Sequence, residues 1–244
     1  MKLLLGAPHQ TYYAKDGSKL PGVTTILGVL AKPALLTWYA DMERQGVMAC
    51  LAAGKQPPVK DDGKPLWFAE AKRDRAADLG TVTHARCEAF NRGEELEPDD
   101  IPADLYEQSL HGFERYKTWL HESGLTVVGV EEQFVYEGER IAYGGTRDVV
   151  CVDQQRRRVL VDLKTSKASR YWPYDETFAQ VAAYAHPSEA EIDRIAVVRI
   201  GKEPGDPGQE RWLNDAERDA GWRIFCGAYE AYDGKRMLTK AKKG

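Results

Sequence analysis

Two carboxylates and an ammonium group fall close together in the run YGGTRDVVCVDQQRRRVLVDLKTSK, as Asp148, Asp162 and Lys164. The first carboxylate belongs to an apparent strand. A short hairpin follows, and the returning strand carries the second carboxylate with the lysine two residues on. Side chains alternate across a strand, so Asp162 and Lys164 share one side while Val161 and Leu163 take the other. The strand VLVDLK is otherwise apolar, and charges in that setting are costly unless paired or bound to a cation. Hard oxygen donors beside an ammonium suit chemistry on a phosphodiester. The carboxylates can hold a divalent metal, and the ammonium can offset charge on the phosphoryl oxygens. Taken alone, an acid and a lysine at i and i+2 equally describe a solvated ion pair.

Three further pieces accompany the pattern. The segment GTVTHARCEAF places His84 and Glu88 one turn apart on the same helix face. Glu132, in EEQFVY, lies on the strand before Asp148. Gln180 and Tyr184 stand at i and i+4 on the helix after the lysine strand. Each has a plain reading too: a packed histidine, an exposed strand acid, the polar edge of an amphipathic helix.

The elements that must position these residues change period near residue 125. Before it the chain reads as helical: a short apolar segment TTILGVLA capped by Thr24 or Thr25, and a helix from Pro33 to Gly54. A polar, proline-rich loop separates these from a long helix over 66–92, where Gly80 marks a kink or a close-packing point. A fourth helix runs over about 102–123. After it, 126–136, 142–153 and 158–165 read as strands, 175–185 as a helix and 193–202 as another strand, with GDPGQE as a turn. Asn214 and Glu217 form a capping box that opens a last helix to about 233. The expected organisation is one domain over 1–244. Its mainly helical part, 1–124, carries His84, and its sheet core, 125–244, carries the acids and the lysine. The fold class is mixed α/β (α+β).

In combination, GTVTHARCE, GGTRD, VDLKTSK and QVAAY resemble the PD-(D/E)XK nuclease superfamily, and within it the RecB-like branch of phage-type exonucleases and the mitochondrial genome maintenance exonuclease. The resemblance covers about residues 80–185, and more loosely LPGVTTILGVLAKPALLTWYA. It implies a restriction-endonuclease-like core, a central mixed sheet flanked by helices with a helical N-terminal region. It also implies a DNA exonuclease dependent on one or two Mg²⁺ or Mn²⁺ ions that leaves 5′-phosphates, in phage or prophage recombination or processing. The metal ligands would be Asp148, Asp162, the Leu163 carbonyl and His84. Lys164 would orient or activate water, Gln180 and Tyr184 would form the QxxxY element, and Glu88 and Glu132 would support a second ion or its neighbours. Asp162 stands where many relatives carry glutamate. The cysteine arrangement of cluster-bearing relatives is absent, so no iron–sulfur cluster is expected. A structure-specific endonuclease and a non-catalytic nucleic-acid-binding subunit of the same fold are the alternatives.

The formal charge of −4 hides two basic patches. Residues 155–170 hold six bases and one acid, and residues 235–244 hold five bases and no acid. In the first, Arg156, Arg157, Arg158, Lys167 and Arg170 are candidates for phosphate contact, and Tyr171, Trp172 and Tyr174 for base stacking. The second reads as a solvated, frayed tail. The four cysteines are widely spaced and form no CxxC pair, which suits reduced thiols in a cytoplasmic setting. No apolar run approaches bilayer length, so no membrane partner is expected; DNA is, with a recombination or single-strand-binding protein as a further candidate.

Overall fold

The computed structural model describes residues 10–60, 63–99, 101–166, 173–188 and 192–243. A small hairpin, β1 (Tyr12–Tyr13) and β2 (Lys19–Leu20), leads into the short helix α1 (Val23–Leu27). Three long helices follow: α2 (Pro33–Ala52), α3 (Phe68–Arg92) and α4 (Ala103–Ser123). The sheet then begins with β3 (Thr126–Glu137), β4 (Ala142–Val152) and β5 (Arg158–Thr165). Helix α5 (Asp175–Ala185) connects to β6 (Arg194–Ile200), and β7 (Gln209–Trp212) and α6 (Asp215–Ala241) complete the fold. The five-stranded sheet has the order β3-β4-β5-β6-β7, with β5 and β6 parallel and the other neighbours antiparallel. This mixed sheet flanked by helices is the restriction-endonuclease-like α/β architecture expected.

Both faces of the sheet are covered. On one, Val150 and Leu160 pack with Ile26 of α1, Val181 of α5 and Phe225 of α6. On the other, Val149, Val159, Val161 and Leu163 pack with Cys87 of α3 and Tyr116 of α4. Two covered faces explain why β5 is apolar almost throughout rather than alternating. Asp162, only 1% exposed, is the charged exception within it.

One irregularity shapes the site. Tyr143 and Val150 of β4 share a core, yet strict alternation would send them to opposite faces. The shift lies between them. The pairs Val130↔Val149 and Glu132↔Arg147 put Glu131 across from Asp148, and Glu131 takes a left-handed φ of 50°. A glutamate in that region is uncommon, so the surrounding register must hold it there.

Several local expectations are revised. Helix α3 runs unbroken through Gly80, and a Cβ there would come within 2.5 Å of Thr165 Oγ1. Gly80 is thus a close-packing point: it lets α3 lie against the end of β5 and delivers His84 one turn later. Helix α1 starts from Gly22, with no side-chain cap from either threonine. The capping box of Asn214 and Glu217 is present, but α6 continues past Gly234 to Ala241, so the basic C-terminal stretch is helical rather than frayed. Strand β7 begins inside GDPGQE, and QERW is too short and polar to announce itself. Among the described residues no helix is long and apolar enough to cross a membrane. All four cysteines are free.

A Cβ on Gly145 would come within 2.7 Å of the Phe134 ring and 2.9 Å of the Tyr184 ring. Both rings are packed, so Gly145→Ala is expected to cost about 1–3 kcal/mol through overpacking. Chemical denaturation would read this; a variant as stable as the parent would show that the rings relax freely.

Candidate active site

Antiparallel pairing of β4 and β5 brings Asp148 beside the Asp162–Lys164 segment. Asp148 Oδ2 accepts a hydrogen bond from the Leu163 backbone N–H at 2.8 Å. Lys164 Nζ donates to Asp162 Oδ1 at 3.0 Å and to Gln180 Oε1 at 3.1 Å. Asp162 Oδ2 is 2.8 Å from the same ammonium, yet it is buried and accepts no hydrogen bond among the described residues. Burial pushes the Asp162 carboxyl up to about 6, with Asp148 adding to the rise and Lys164 opposing it. Burial likewise raises Asp148, opposed by Lys164 and by the Leu163 N–H. Burial works against the Lys164 ammonium, but the two aspartates outweigh it and hold its pKa above that of an ordinary lysine. Lys164 is therefore a fixed cation and donor at neutral pH, not a base.

The helix after β5 extends this group. Gln180 Nε2 donates to Tyr184 Oη at 2.9 Å, so the glutamine amide is held at both ends, by Lys164 and by the phenol. Tyr184 is in turn packed edge-on against Phe134. Gln180 and Tyr184 thereby position Lys164. Tyr184→Phe removes the acceptor that orients the amide, and about a tenfold fall in turnover is expected, typical of losing a supporting hydrogen bond. The KM should move far less than kcat; a matched rise in KM would mean that Tyr184 contacts substrate instead.

His84, from α3, is half-buried. Burial drives its pKa down to about 4, with Lys164 lowering it further and Asp162 opposing, so the imidazole is neutral near pH 7. Glu88 stands one turn on and pairs with Arg92 at 2.5 Å. Glu132 is not part of this group. Its carboxylate lies 3.6 Å from Arg147 Nη1 and 3.9 Å from Arg158 Nη2. Its neighbour Glu131 takes the place across from Asp148, and burial, Asp148 and Glu88 push its pKa up to about 7.

His84, Glu88, Glu131 and Thr165 line a polar cleft of about 1370 Å³. Its other walls come from the β1–β2 hairpin and α1 (Lys19, Thr24, Thr25) and from α6 (Tyr232, Arg236). Asp148, Asp162 and Lys164 adjoin this wall rather than line it. Arg156, Arg157 and Arg158 do not line the cleft. They cap the β4–β5 hairpin, Arg156 with φ 61°, Arg157 paired to Asp153 at 2.8 Å and Arg158 beside Glu132. Hairpin geometry puts that turn about four residues along both strands from the acids. Lys167, Arg170, Tyr171 and Trp172 lie outside the described residues; Tyr174 is exposed at the start of α5. Lys19 and Lys202 are cleft residues that carry no motif in the sequence.

Asp148 and Asp162, two carboxylates with an ammonium beside them, are oxygen donors of the kind a hard cation takes. Asp162 Oδ2 accepts no hydrogen bond among the described residues, and burial raises both carboxyls against the opposing pull of Lys164. Among the described residues there is no group of three or more His, Cys, Asp or Glu side chains that could hold a metal ion. Mg²⁺ seldom uses one: it is held by one or two carboxylates and completes its shell with water and phosphate.

No family model matches the chain, and no curated protein does. Among solved structures it is similar to the alkaline exonuclease LHK-Exo from Laribacter hongkongensis, at 15% identity and TM-score 0.33, over 70% of this chain and 92% of that one. That enzyme has also been seen in complex with dAMP. The chain is similar too to a provisionally named exonuclease from Eubacterium rectale, at 9% identity and TM-score 0.45, over 71% of this chain and 76% of that one. At such scores these likenesses assign no role to any residue here.

Proposed function

We propose that this chain is a divalent-metal-dependent deoxyribonuclease acting as an exonuclease on DNA. The observation that carries the reading is the convergence of Asp148, Asp162 and Lys164 beside a polar cleft, with the ammonium fixed by Gln180. Asp148 and Asp162 would hold Mg²⁺ or Mn²⁺, with the Leu163 carbonyl and His84 as further donors. A bound ion there supplies positive charge to a phosphoryl oxygen and acidifies a coordinated water.

The chain's own groups account for the rest. Lys164 donates to a non-bridging phosphoryl oxygen, where negative charge grows as water oxygen bonds to phosphorus. The bond from phosphorus to the 3′-oxygen breaks, leaving a 5′-phosphate and a 3′-hydroxyl. Gln180 and Tyr184 keep the ammonium aimed through this change. Burial of Asp162 keeps bulk water away and strengthens each of these interactions. The phage-type resemblance of the motifs supports a setting in DNA recombination or processing.

Digestion of end-labelled linear DNA beside closed circular DNA, with Mg²⁺, Mn²⁺ or EDTA, tests the reading. Metal-dependent loss of linear DNA alone is expected. Cut circles would indicate an endonuclease, and binding without cleavage a non-catalytic subunit.

A further inference from the structure

We propose that the C-terminal half of α6 is a phosphate-binding rail that carries a DNA strand between the cleft and the outside of the protein. This inference rests on the nuclease reading, since it assigns a path to that enzyme's substrate. Helix α6 is anchored by Phe225 and Ala228 in the core, and it remains helical to Ala241. Tyr232 and Arg236 line the cleft that His84, Glu88 and Glu131 also line. At 3.6 residues per turn the same face continues to Lys240, and Lys242 and Lys243 follow just past the helix end. From Tyr232 to Ala241 the helix advances about 14 Å, the length of about four stacked nucleotides.

Charge fits that path. Residues 235–243 hold Lys235, Arg236, Lys240, Lys242 and Lys243 without one acid, in a chain whose net charge is −4. All five are exposed. Lysines in the last turn complement the helix dipole, but that effect ends within one turn and does not account for Lys235 and Arg236. Among the described residues the segment's ion pair is Arg236 to Asp233 at 2.8 Å; it is solvent-exposed and weak, so a phosphate can compete for it. Tyr232 at the cleft end packs in part on the core and presents the rest of its ring to the cleft, where an unpaired base could stack. Met237 and Leu238 are also exposed, but they lie off this face, so a lipid surface would have to use a different side of the helix.

The test compares the full chain with a variant carrying Arg236→Ala, Lys240→Ala and Lys243→Ala. Anisotropy of labelled single strands in EDTA reads binding without cleavage, using a tetranucleotide and a strand several times longer. Losing three phosphate contacts should weaken long-strand binding about tenfold or more and reduce the slope of log K against log salt by about 2. The tetranucleotide should be affected much less. The single variant Lys240→Glu should move long-strand binding in the same direction, and equal thermal melts would exclude misfolding. Parent-like long-strand affinity and salt slope in both variants would overturn the proposal. So would parent binding to phosphatidylserine vesicles that the variants lose while DNA binding stays intact. A parent that cuts DNA but is indifferent to these variants sinks the rail alone. A parent that binds strands along α6 but cuts nothing with either metal sinks the nuclease reading and leaves the rail standing.

Discussion

Asp162→Asn should abolish metal-dependent DNA cleavage, a fall of about a thousandfold or more, without unfolding the protein. Asp162 is 1% exposed, and its charged form is disfavoured by burial. A carboxylate whose folded pKa is raised, here to about 6 from 3.8, binds more protons folded than unfolded between those values. Its charge therefore detracts from stability once the pH passes that window. The asparagine keeps an oxygen acceptor for Lys164 and removes the buried charge. In EDTA at neutral pH the variant should melt close to the parent, because relief of the buried carboxylate is set against the counter-charge that Lys164 loses. Added Mg²⁺ or Mn²⁺ should raise the parent's Tm by binding the native state and leave the variant's unchanged. Lys164→Ala should cost about 100- to 1000-fold in turnover, as for removal of a donor to a developing oxyanion, while the metal-induced Tm shift persists. Full activity in Asp162→Asn, or a parent melt indifferent to both metals, would defeat the metal assignment.

Asp206→Ala should be the most damaging change to stability outside the apolar cores. Arg199 of β6 is 2% exposed, and its guanidinium meets Asp206 through two bonds of 2.7 Å. It also donates to Gln209 Oε1 and to the Ser166 carbonyl, each at 2.9 Å. One side chain thus ties β6, the β6–β7 loop, the start of β7 and the residue just past the end of β5. Removing Asp206 leaves a buried cation without its counter-charge, at a cost of about 3 kcal/mol. For a chain of this size that corresponds to a Tm lower by about 6–12 °C.

The double variant Asp206→Ala, Arg199→Met should recover much of the loss, because the stranded charge is gone. The Arg199 hydrogen bonds hold the Asp206 pKa below its ordinary 3.8. A depressed carboxyl contributes stability that is present above pH 3.8 and is lost as pH falls through the folded pKa. The parent should therefore lose its advantage over Asp206→Ala only in strong acid. A single variant melting within a degree or two of the parent at neutral pH would show that Arg199 finds water or another acceptor.

Local rules were enough for what depends on spacing along one element. Strand parity puts Asp162 and Lys164 on one side of β5, and helical period puts Gln180 and Tyr184 on one face of α5. The structure has both, and it joins them through the Lys164–Gln180 bond. The register of β4 against β5, which sets Asp148 against the Leu163 N–H, is suggested by the short hairpin between them.

Tertiary structure decided everything that depends on a neighbour. Glu131 rather than Glu132 faces Asp148 because a left-handed residue breaks the alternation there, and φ is not written in the two adjacent glutamates. The β4–β5 pairing closes with Val152 against Arg158, so the hairpin arginines lie at the far end of both strands from the acids. Gly234 reads as a helix stop, yet α6 passes through it, since Phe225 and Ala228 anchor the helix in the core and the residues beyond favour helix. Arg199 reads as one more strand residue; only the fold reveals a buried cation, because its partner lies in a loop whose path the sequence does not specify.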